Sequence, residues 1–286
     1  MTTTTAGTVT SDDGTTISYR EAGRGPGLVI LHGAMQTGHS QIELARALSR
    51  DFTCYLPDRR GRGGSGPAGP AYGLDREVED LGALLRATGA PYAAGVSSGA
   101  IITLRTALAR PGLLRKAVVF EPPLNGSGAR DHLPRLDREL AAGRIPAALV
   151  TGMKAARLGP PIFNVLPRAL LELLTGLMLR NEDKGVAGDE PTFRELAPTL
   201  RQDLQLVAEA GGDLTVYRPV EAEVLLLGGT RSPAYLRAAL AGLERVLPRA
   251  RHVELAGLDH SATSNAVRRG RPERVAEEIR GFLTGS

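Results

Sequence analysis

The strongest constraint on the fold of this chain is an alternation of short apolar runs with segments of helical periodicity. Continuous apolar runs end in turn residues at 27–33 (GLVILHG), 91–96 (PYAAGV) and 224–229 (VLLLGG), and helical spacing follows each of them. Apolar runs of this length are typical of strands that are buried on both faces. The alternation therefore predicts an α/β fold in which a mostly parallel sheet carries helices on both faces.

Eight strands are expected, beginning with a hairpin that turns at Asp13 and Gly14. From residue 124 to residue 220 the strand pattern stops, and the chain reads as helices separated by Pro and Gly. We therefore expect one sheet domain formed by residues 1–123 and 221–286, with a helical insertion at 124–220.

Composition and charge argue against several classes of function. The formal net charge is only +4, and the tightest basic group, RRGRG at 59–63, follows Asp58 and is expected on the solvated surface. No basic face for a nucleic acid is predicted. The single cysteine, Cys54, rules out an intramolecular disulfide and is expected on a buried strand. No Cys or His spacing indicates a metal site, and no cofactor is expected.

The first residues have neither the basic nor the apolar segment of a secretory signal. No apolar run approaches the roughly 18 residues that a membrane span requires. The expectation is a cytoplasmic protein that acts on a small molecule, with no membrane partner. Nothing in the sequence indicates an oligomeric state.

The sharpest functional motif is GVSSG at 95–99, which matches the pattern G-x-S-x-G at a strand-to-helix turn. Small residues on both sides allow a very tight turn, with the Oγ of Ser97 exposed above the sheet as a nucleophile. The amide of Ser98 would lie at the start of the next helix, where the helix dipole favours an anion. The alternative is a glycine-rich turn with an idle serine.

Two other loops carry candidate residues. In LHGAMQ at 31–36, the Ala34 amide could supply a second oxyanion donor, and His32 is expected to brace the loop. His260 follows the last strand, so the chain order is nucleophile first and histidine last. The remaining histidines are poorer candidates for a base, since they lie at a helix start, in the insertion and within a strand: His39, His132 and His252.

Four motifs resemble those of the α/β-hydrolase fold family, in its capped branch with a serine nucleophile. They stand in the family's order and spacing: HGA at 32–34, DRRGRGGS at 58–65, GVSSG at 95–99 and GLDH at 257–260. The resemblance covers nearly the whole chain. It implies an eight-stranded sheet, a cap formed by the insertion, and a turn-forming rather than catalytic role for Asp58.

The same resemblance implies that Ser97 is the nucleophile, that His260 is the base, and that the amides of Ala34 and Ser98 form the oxyanion hole. The family's usual acid position, however, is occupied by Ser232, and no Asp or Glu occurs between residues 228 and 236. A neutral serine cannot stabilise an imidazolium, and loss of a triad's acid costs about 10⁴ in rate.

The best replacement for the missing acid is Glu121, at the carboxyl end of AVVFE. Active sites of such sheets lie at the carboxyl ends of strands, which disfavours Glu221 and Glu223. Asp259 adjoins His260 and should point elsewhere. By resemblance, the Glu121 strand lies between the nucleophile strand and the Ser232 strand, and some family members take their acid from it. The alternative is that Glu121 is a polar strand-end residue beside the insertion.

A serine nucleophile predicts acyl transfer to water, and therefore hydrolysis of an ester, lactone or thioester. The insertion is rich in Leu, Ala, Met and Pro, which suits a medium-sized apolar substrate. The expected substrate-contacting residues are Met35, Phe163 and Met178, with Ile162 and Leu177 as further candidates. Two alternatives remain: a lyase or cyclase of a natural-product pathway that uses the same site for proton transfer, and a catalytically idle ligand-binding protein.

Overall fold

The protein is described here by a computed structural model, which covers residues 4–124, 128–157, 163, 165–185 and 191–285. Within these ranges, eight strands form one sheet in the order β1-β2-β4-β3-β5-β6-β7-β8. Their bounds are Thr5–Thr10 (β1), Thr16–Gly23 (β2), Gly27–Leu31 (β3), Thr53–Pro57 (β4), Tyr92–Val96 (β5), Lys116–Phe120 (β6), Glu223–Gly229 (β7) and Ala250–Leu255 (β8).

Strand β2 pairs antiparallel with β1 and β4, and the neighbours from β4 to β8 are all parallel. The predicted α/β fold with a mostly parallel, eight-stranded sheet is confirmed. Ten α-helices lie in the described ranges: Ile42–Leu48 (α1), Leu74–Thr88 (α2), Ser98–Ala109 (α3), Ala129–Ala141 (α4), Ile145–Ala155 (α5), Arg168–Gly185 (α6), Phe193–Leu196 (α7), Leu200–Ala210 (α8), Ala234–Val246 (α9) and Pro272–Thr284 (α10).

The central strands are buried on both faces because helices pack on each side of the sheet. Successive side chains of a strand point to opposite faces. In β3, Val29 and Leu31 belong to the core on the side of α2, α3 and α9, whereas Leu28 and Ile30 belong to the core on the side of α1 and α10. This two-sided burial is why these strands appear in the sequence as continuous apolar runs.

Helices α4 to α8 lie between β6 and β7, and the described residues between 121 and 222 contain no strand. This insertion has its own apolar cluster: Ala129, Leu136, Ala148, Ala155, Leu200 and Leu204. Its carboxyl-terminal part also enters the sheet's core through Leu206, Tyr217 and Val220. Helix α8 contributes side chains to both apolar clusters. The domain boundaries at 124 and 220 remain predictions.

The placement of RRGRG on the solvated surface was wrong. Arg59, Arg60 and Arg62 are 1%, 3% and 4% exposed. They are buried because carboxylates from distant segments neutralise them, such as Asp80, which pairs with Arg60 at 2.6 Å. A guanidinium tolerates burial when it is paired and hydrogen-bonded.

No helix in the described ranges has both the length and the apolarity needed to cross a bilayer. Within the same ranges, no three His, Cys, Asp or Glu side chains are grouped as metal ligands would be.

Candidate active site

Ser97 occupies the tight turn between β5 and α3, at φ 53° and ψ −117°. Only glycine fits on either side: a Cβ on Gly95 would lie 2.3 Å from the Gly99 carbonyl oxygen, and a Cβ on Gly99 would lie 2.4 Å from the Leu31 carbonyl oxygen. Positive φ at a non-glycine residue costs about 1–3 kcal/mol. The fold retains this conformation through the Ser97 amide, which donates to the Phe120 carbonyl at 2.8 Å.

His260 lies in the loop after β8 and bridges Ser97 and Glu121. Its Nε2 is 3.1 Å from the Ser97 Oγ, and its Nδ1 is 2.6 Å from the Glu121 Oε2. A carboxylate can only accept, so the proton is on Nδ1, and Nε2 is left to accept from the serine hydroxyl. The structure therefore brings together the three side chains that the sequence pointed to, in one continuous hydrogen-bond chain.

Glu121 follows β6 and is completely buried, with a positive φ of 46°. Its second oxygen, Oε1, accepts from the Gly229 amide at 2.6 Å. A Cβ on Gly228 would come within 3.1 Å of that same oxygen and 2.5 Å of Leu240. The paired glycines at the end of β7 therefore supply both the space and the donor that the carboxylate requires.

Ser232, the expected acid position, follows this glycine pair by three residues. It is buried, and its Oγ has no hydrogen-bond partner among the described residues. The carboxylate that contacts His260 therefore comes from the neighbouring strand β6. The sequence suggested this placement of Glu121, and its role as the catalytic acid remains a prediction.

The two predicted oxyanion donors are the amides of Ser98, which follows Ser97 directly, and of Ala34 in the loop after β3. The Ser98 amide begins α3, and within the described residues neither this amide nor that of Ala34 has an intramolecular acceptor. The loop of Ala34 lies against Ser97, since a Cβ on Gly33 would be 3.0 Å from the Ser97 Cβ. Two unpaired amides beside a serine hydroxyl can stabilise a negative oxygen that forms there.

His32 braces the loop that contains Ala34. The ring is fully buried; its Nδ1 donates to the Gly33 carbonyl at 2.8 Å, and its Nε2 accepts from the Arg59 amide at 3.2 Å. Burial, reinforced by the charges of Arg62 and Arg59, holds the pKa of His32 well below its ordinary value. The ring is therefore neutral, consistent with one donating and one accepting nitrogen.

Asp58 holds a turn and lies away from the chain of Ser97, His260 and Glu121. Its two oxygens accept from the amides of Gly38 at 2.9 Å and Gly64 at 3.0 Å.

The predicted substrate-contacting residues differ in packing and exposure. Met35 has a φ of 55° and packs against the apolar cluster of the insertion. Phe163 is half-buried, whereas Leu177 and Met178 on α6 are 46% and 43% exposed. Ile162 lies outside the described residues. Contact of these side chains with a substrate remains a prediction.

Sequence reasoning missed two contributors to the site. One is the glycine pair that receives Glu121, for which the sequence GG at the end of an apolar strand was an available signal. The other is Asp203 on α8, which is 1% exposed and accepts from the Met35 amide at 3.3 Å. Nothing near Asp203 in the sequence marks it, because its partners are more than 140 residues away along the chain.

Comparisons with known proteins agree with this architecture. Residues 28–278 match the family model described as "Alpha/beta hydrolase family". The crystal structure of an alpha/beta hydrolase from Sphaerobacter thermophilus DSM 20745 is similar with a TM-score of 0.78 and 30% identity, over 97% of this chain and 100% of that one.

Two relatives are also similar in sequence. The 2-(acetamidomethylene)succinate hydrolase of Mesorhizobium japonicum is 26% identical over 94% of this chain and 91% of its own length. The N-formylmaleamate deformylase of Pseudomonas putida is 32% identical over 48% of this chain and 52% of its own length. The match to the family model spans most of the chain, and the chain therefore belongs to the alpha/beta hydrolase family.

Proposed function

We propose that this protein is a serine hydrolase that transfers an acyl group from its substrate to Ser97 and then to water. The observation that carries the proposal is the unbroken hydrogen-bond chain from the Ser97 Oγ through His260 to Glu121, with distances of 3.1 and 2.6 Å. Such a chain activates a serine hydroxyl, which is a weak nucleophile by itself.

In the first half-reaction, the Ser97 Oγ attacks the acyl carbon while His260 Nε2 takes the hydroxyl proton. The resulting imidazolium is stabilised by the Glu121 carboxylate at Nδ1. The carbonyl oxygen becomes an oxyanion that accepts from the amides of Ala34 and Ser98. The bond to the leaving group then breaks, His260 returns the proton to that group, and an acyl-enzyme remains on Ser97.

In the second half-reaction, water attacks the acyl-enzyme while His260 takes one of its protons. Collapse of the second tetrahedral intermediate breaks the bond to the Ser97 Oγ, which regains its proton from His260. The carboxylic acid product is released and the site is restored. The start of α3 at Ser98 adds a helix N-terminus that favours the developing negative charge in both halves.

For the substrate, we propose an ester, lactone or thioester with a medium-sized apolar portion, enclosed by the insertion acting as a cap. Support comes from the apolar cluster of the insertion and from Met35, which packs against it from the oxyanion loop. Sites of this kind are lined mainly by apolar side chains with few polar groups.

A second candidate substrate class is an N-acyl compound, in which the leaving group is an amide or amine nitrogen. It is favoured by the relatives whose names specify 2-(acetamidomethylene)succinate and N-formylmaleamate, both of which carry an acyl group on nitrogen. The same residues would serve, with His260 protonating nitrogen instead of oxygen.

The proposal is tested with a tagged fluorophosphonate and a panel of p-nitrophenyl esters paired with the corresponding anilides. Only Ser97 should be labelled, and Ser97→Ala should reduce hydrolysis to about 10³–10⁴ above the uncatalysed rate. Ser232→Ala, which removes a buried Oγ with no hydrogen-bond partner in the described structure, is the matched control and should keep both properties. Labelling that persists in Ser97→Ala would contradict the proposal. Relative rates on esters and anilides decide between the two substrate classes.

A further inference from the structure

Asp203 connects the insertion to the predicted oxyanion hole. Its side chain is 2% exposed, and all of its contacts are with donors. Oδ1 accepts from Arg62 Nη2 at 2.6 Å and from Arg59 Nη1 at 3.1 Å, whereas Oδ2 accepts from the Met35 amide at 3.3 Å. One carboxylate on α8 therefore holds three separate groups of the sheet domain.

The first of these groups orients the Ala34 amide. Arg62 Nη1 donates to the carbonyls of Gly33 at 3.4 Å and Gln36 at 3.3 Å. The Gly33 carbonyl and the Ala34 N–H belong to one planar trans peptide, so they point in opposite directions. His32 Nδ1 also donates to this Gly33 oxygen, at 2.8 Å, so His32 and Arg62 together fix the peptide and with it the direction of the Ala34 N–H.

The Met35 contact acts on the next peptide of the same loop. Met35 adopts a φ of 55°, which is unfavourable for a side chain that is not glycine. The bond from its amide to Asp203 helps to hold this conformation. Together, the Arg62 and Met35 contacts restrain the peptides on both sides of Ala34.

The side chain of Ser98, whose amide is the second predicted oxyanion donor, is contacted by Arg59. Its Nη1, which donates to Asp203, also donates to the Ser98 Oγ at 3.0 Å. The other edge of this guanidinium is held by Glu77, with contacts between 2.7 and 3.1 Å. The Asp203 carboxylate therefore reaches both predicted oxyanion residues, each through an arginine.

The buried charges are balanced only when Asp203 is ionised. Two arginines, Arg59 and Arg62, face two carboxylates, Glu77 and Asp203, all of them nearly inaccessible to water. Burial would raise the pKa of Asp203, but Arg62 and Arg59 outweigh it and lower the pKa below the ordinary value. A carboxylate at this position is thus maintained at neutral pH.

We propose that Asp203 is a positioning residue that holds the Ala34 amide in its productive orientation and fixes the Ser98 side chain through Arg59, so that the oxyanion hole is complete only while α8 of the insertion is docked. The inference rests on the proposed acyl-transfer function. It assigns to the insertion a part in transition-state stabilisation in addition to enclosing the substrate.

The test compares Asp203→Asn with the wild-type protein on matched esters and thionoesters. All Asp203 contacts are with donors, so the amide of Asn must direct its NH₂ at a donor in either orientation. An oxyanion donor typically contributes about 10²–10³ to kcat, and sulfur accepts hydrogen bonds more weakly than oxygen. We expect kcat on the ester to fall about 10–100-fold with KM changed less than about threefold. The preference for ester over thionoester should fall at least about tenfold.

The matched control is Glu139→Gln, which alters another buried carboxylate of the insertion that pairs with two arginines. Glu139 contacts Arg135 at 2.8 Å and Arg168 at 2.7 Å. It should lower stability without changing the ester-to-thionoester ratio. An unchanged ratio in Asp203→Asn, or an equal change in Glu139→Gln, would overturn the inference while leaving the proposed function intact.

Two further measurements keep the inference testable if the first variant fails. If Asp203→Asn does not fold, Arg62→Lys provides the test. Lysine keeps the positive charge but lacks the two-nitrogen guanidinium that contacts both Asp203 and the Gly33 carbonyl. It should lower the ester preference in the same way, and an unaltered preference would refute the idea.

Hydrogen exchange of the peptide spanning residues 32–41 needs no substrate, and it should be faster in both variants than in Glu139→Gln. Equal exchange rates would count against the inference even if the proposed reaction were wrong.

Discussion

Replacing Glu121 by Gln is the most direct test of the proposal that this residue is the acid partner of His260. The Gly229 amide, 2.6 Å from Oε1, dictates how the new amide must sit. If the amide oxygen remains on this donor, the NH₂ group faces His260 Nδ1, which must then accept. The ring proton is forced onto Nε2, which faces Ser97 and can no longer take the hydroxyl proton.

The magnitude of the effect follows from two contributions. To recover the productive tautomer, the amide must flip, which sets its NH₂ against the Gly229 N–H and leaves buried donors unsatisfied, at a cost of about 1–3 kcal/mol. Loss of the charge removes a hydrogen bond between the imidazolium and a carboxylate, which contributes about 1.5–3 kcal/mol. Together these raise the barrier by about 2.5–6 kcal/mol, so that kcat should fall roughly 10²–10⁴-fold. Loss of the carboxylate charge from the serine protease triad, at about 10⁴, lies at the upper end of this range.

The assay is steady-state hydrolysis of the best p-nitrophenyl ester, together with the rate of fluorophosphonate labelling of Ser97. Ser232→Asp added to Glu121→Gln should recover part of the rate, because it returns a carboxylate to the family's usual position. Glu244→Gln is the control, since Glu244 pairs with His252 at 3.0 Å on the surface and its loss should leave kcat unchanged. A Glu121→Gln variant within about threefold of wild-type kcat would refute the reasoning, and Ser97 and His260 would then act as a dyad.

Three further outcomes are expected. Gly228→Ala would place a Cβ 3.1 Å from the Glu121 Oε1 and 2.5 Å from Leu240, so kcat and the thermal midpoint should both fall; unchanged values of both would show that the carboxylate does not need this space. Burial raises the pKa of the Cys54 thiol to about 12, so a thiol reagent at pH 8 should react only after denaturation, when the pKa returns to about 8.5; rapid reaction of the folded protein would contradict this. Phe163→Ala should shift the preferred acyl chain length measured on an ester series, whereas an equal loss on every ester would indicate that Phe163 only packs within the insertion.

The local features of this protein were predictable from sequence because they depend on short spacings. Strands buried on both faces produce continuous apolar runs, and amphipathic helices repeat every 3.6 residues, so the sheet and the helical insertion could be located. The turn at Ser97 was recognisable because its geometry requires glycine at fixed offsets on both sides. The position of His260 after the last strand followed from chain order.

The position of Glu121 beside His260 was predictable from the sequence only in part. The sequence excluded an acid at Ser232 and offered a carboxylate at another strand end. Its contact with His260, however, depends on strand order and on the space left by Gly228, since the two residues are 139 positions apart. The order of strands in a sheet arises from lateral packing and pairing. The residues of one strand therefore contain little information about which strand lies beside it.

The environment of RRGRG was decided entirely by the tertiary structure. By composition these arginines suggested a solvated surface, and neither Glu77 nor Asp203 is close enough in sequence to reveal the pairing. Burial of Arg59 and Arg62 is tolerable only because α2 and α8 bring carboxylates to them from 18 and 141 residues away. The desolvation of a charge is offset by partners in space, so charge counts along the chain cannot show which charges are buried.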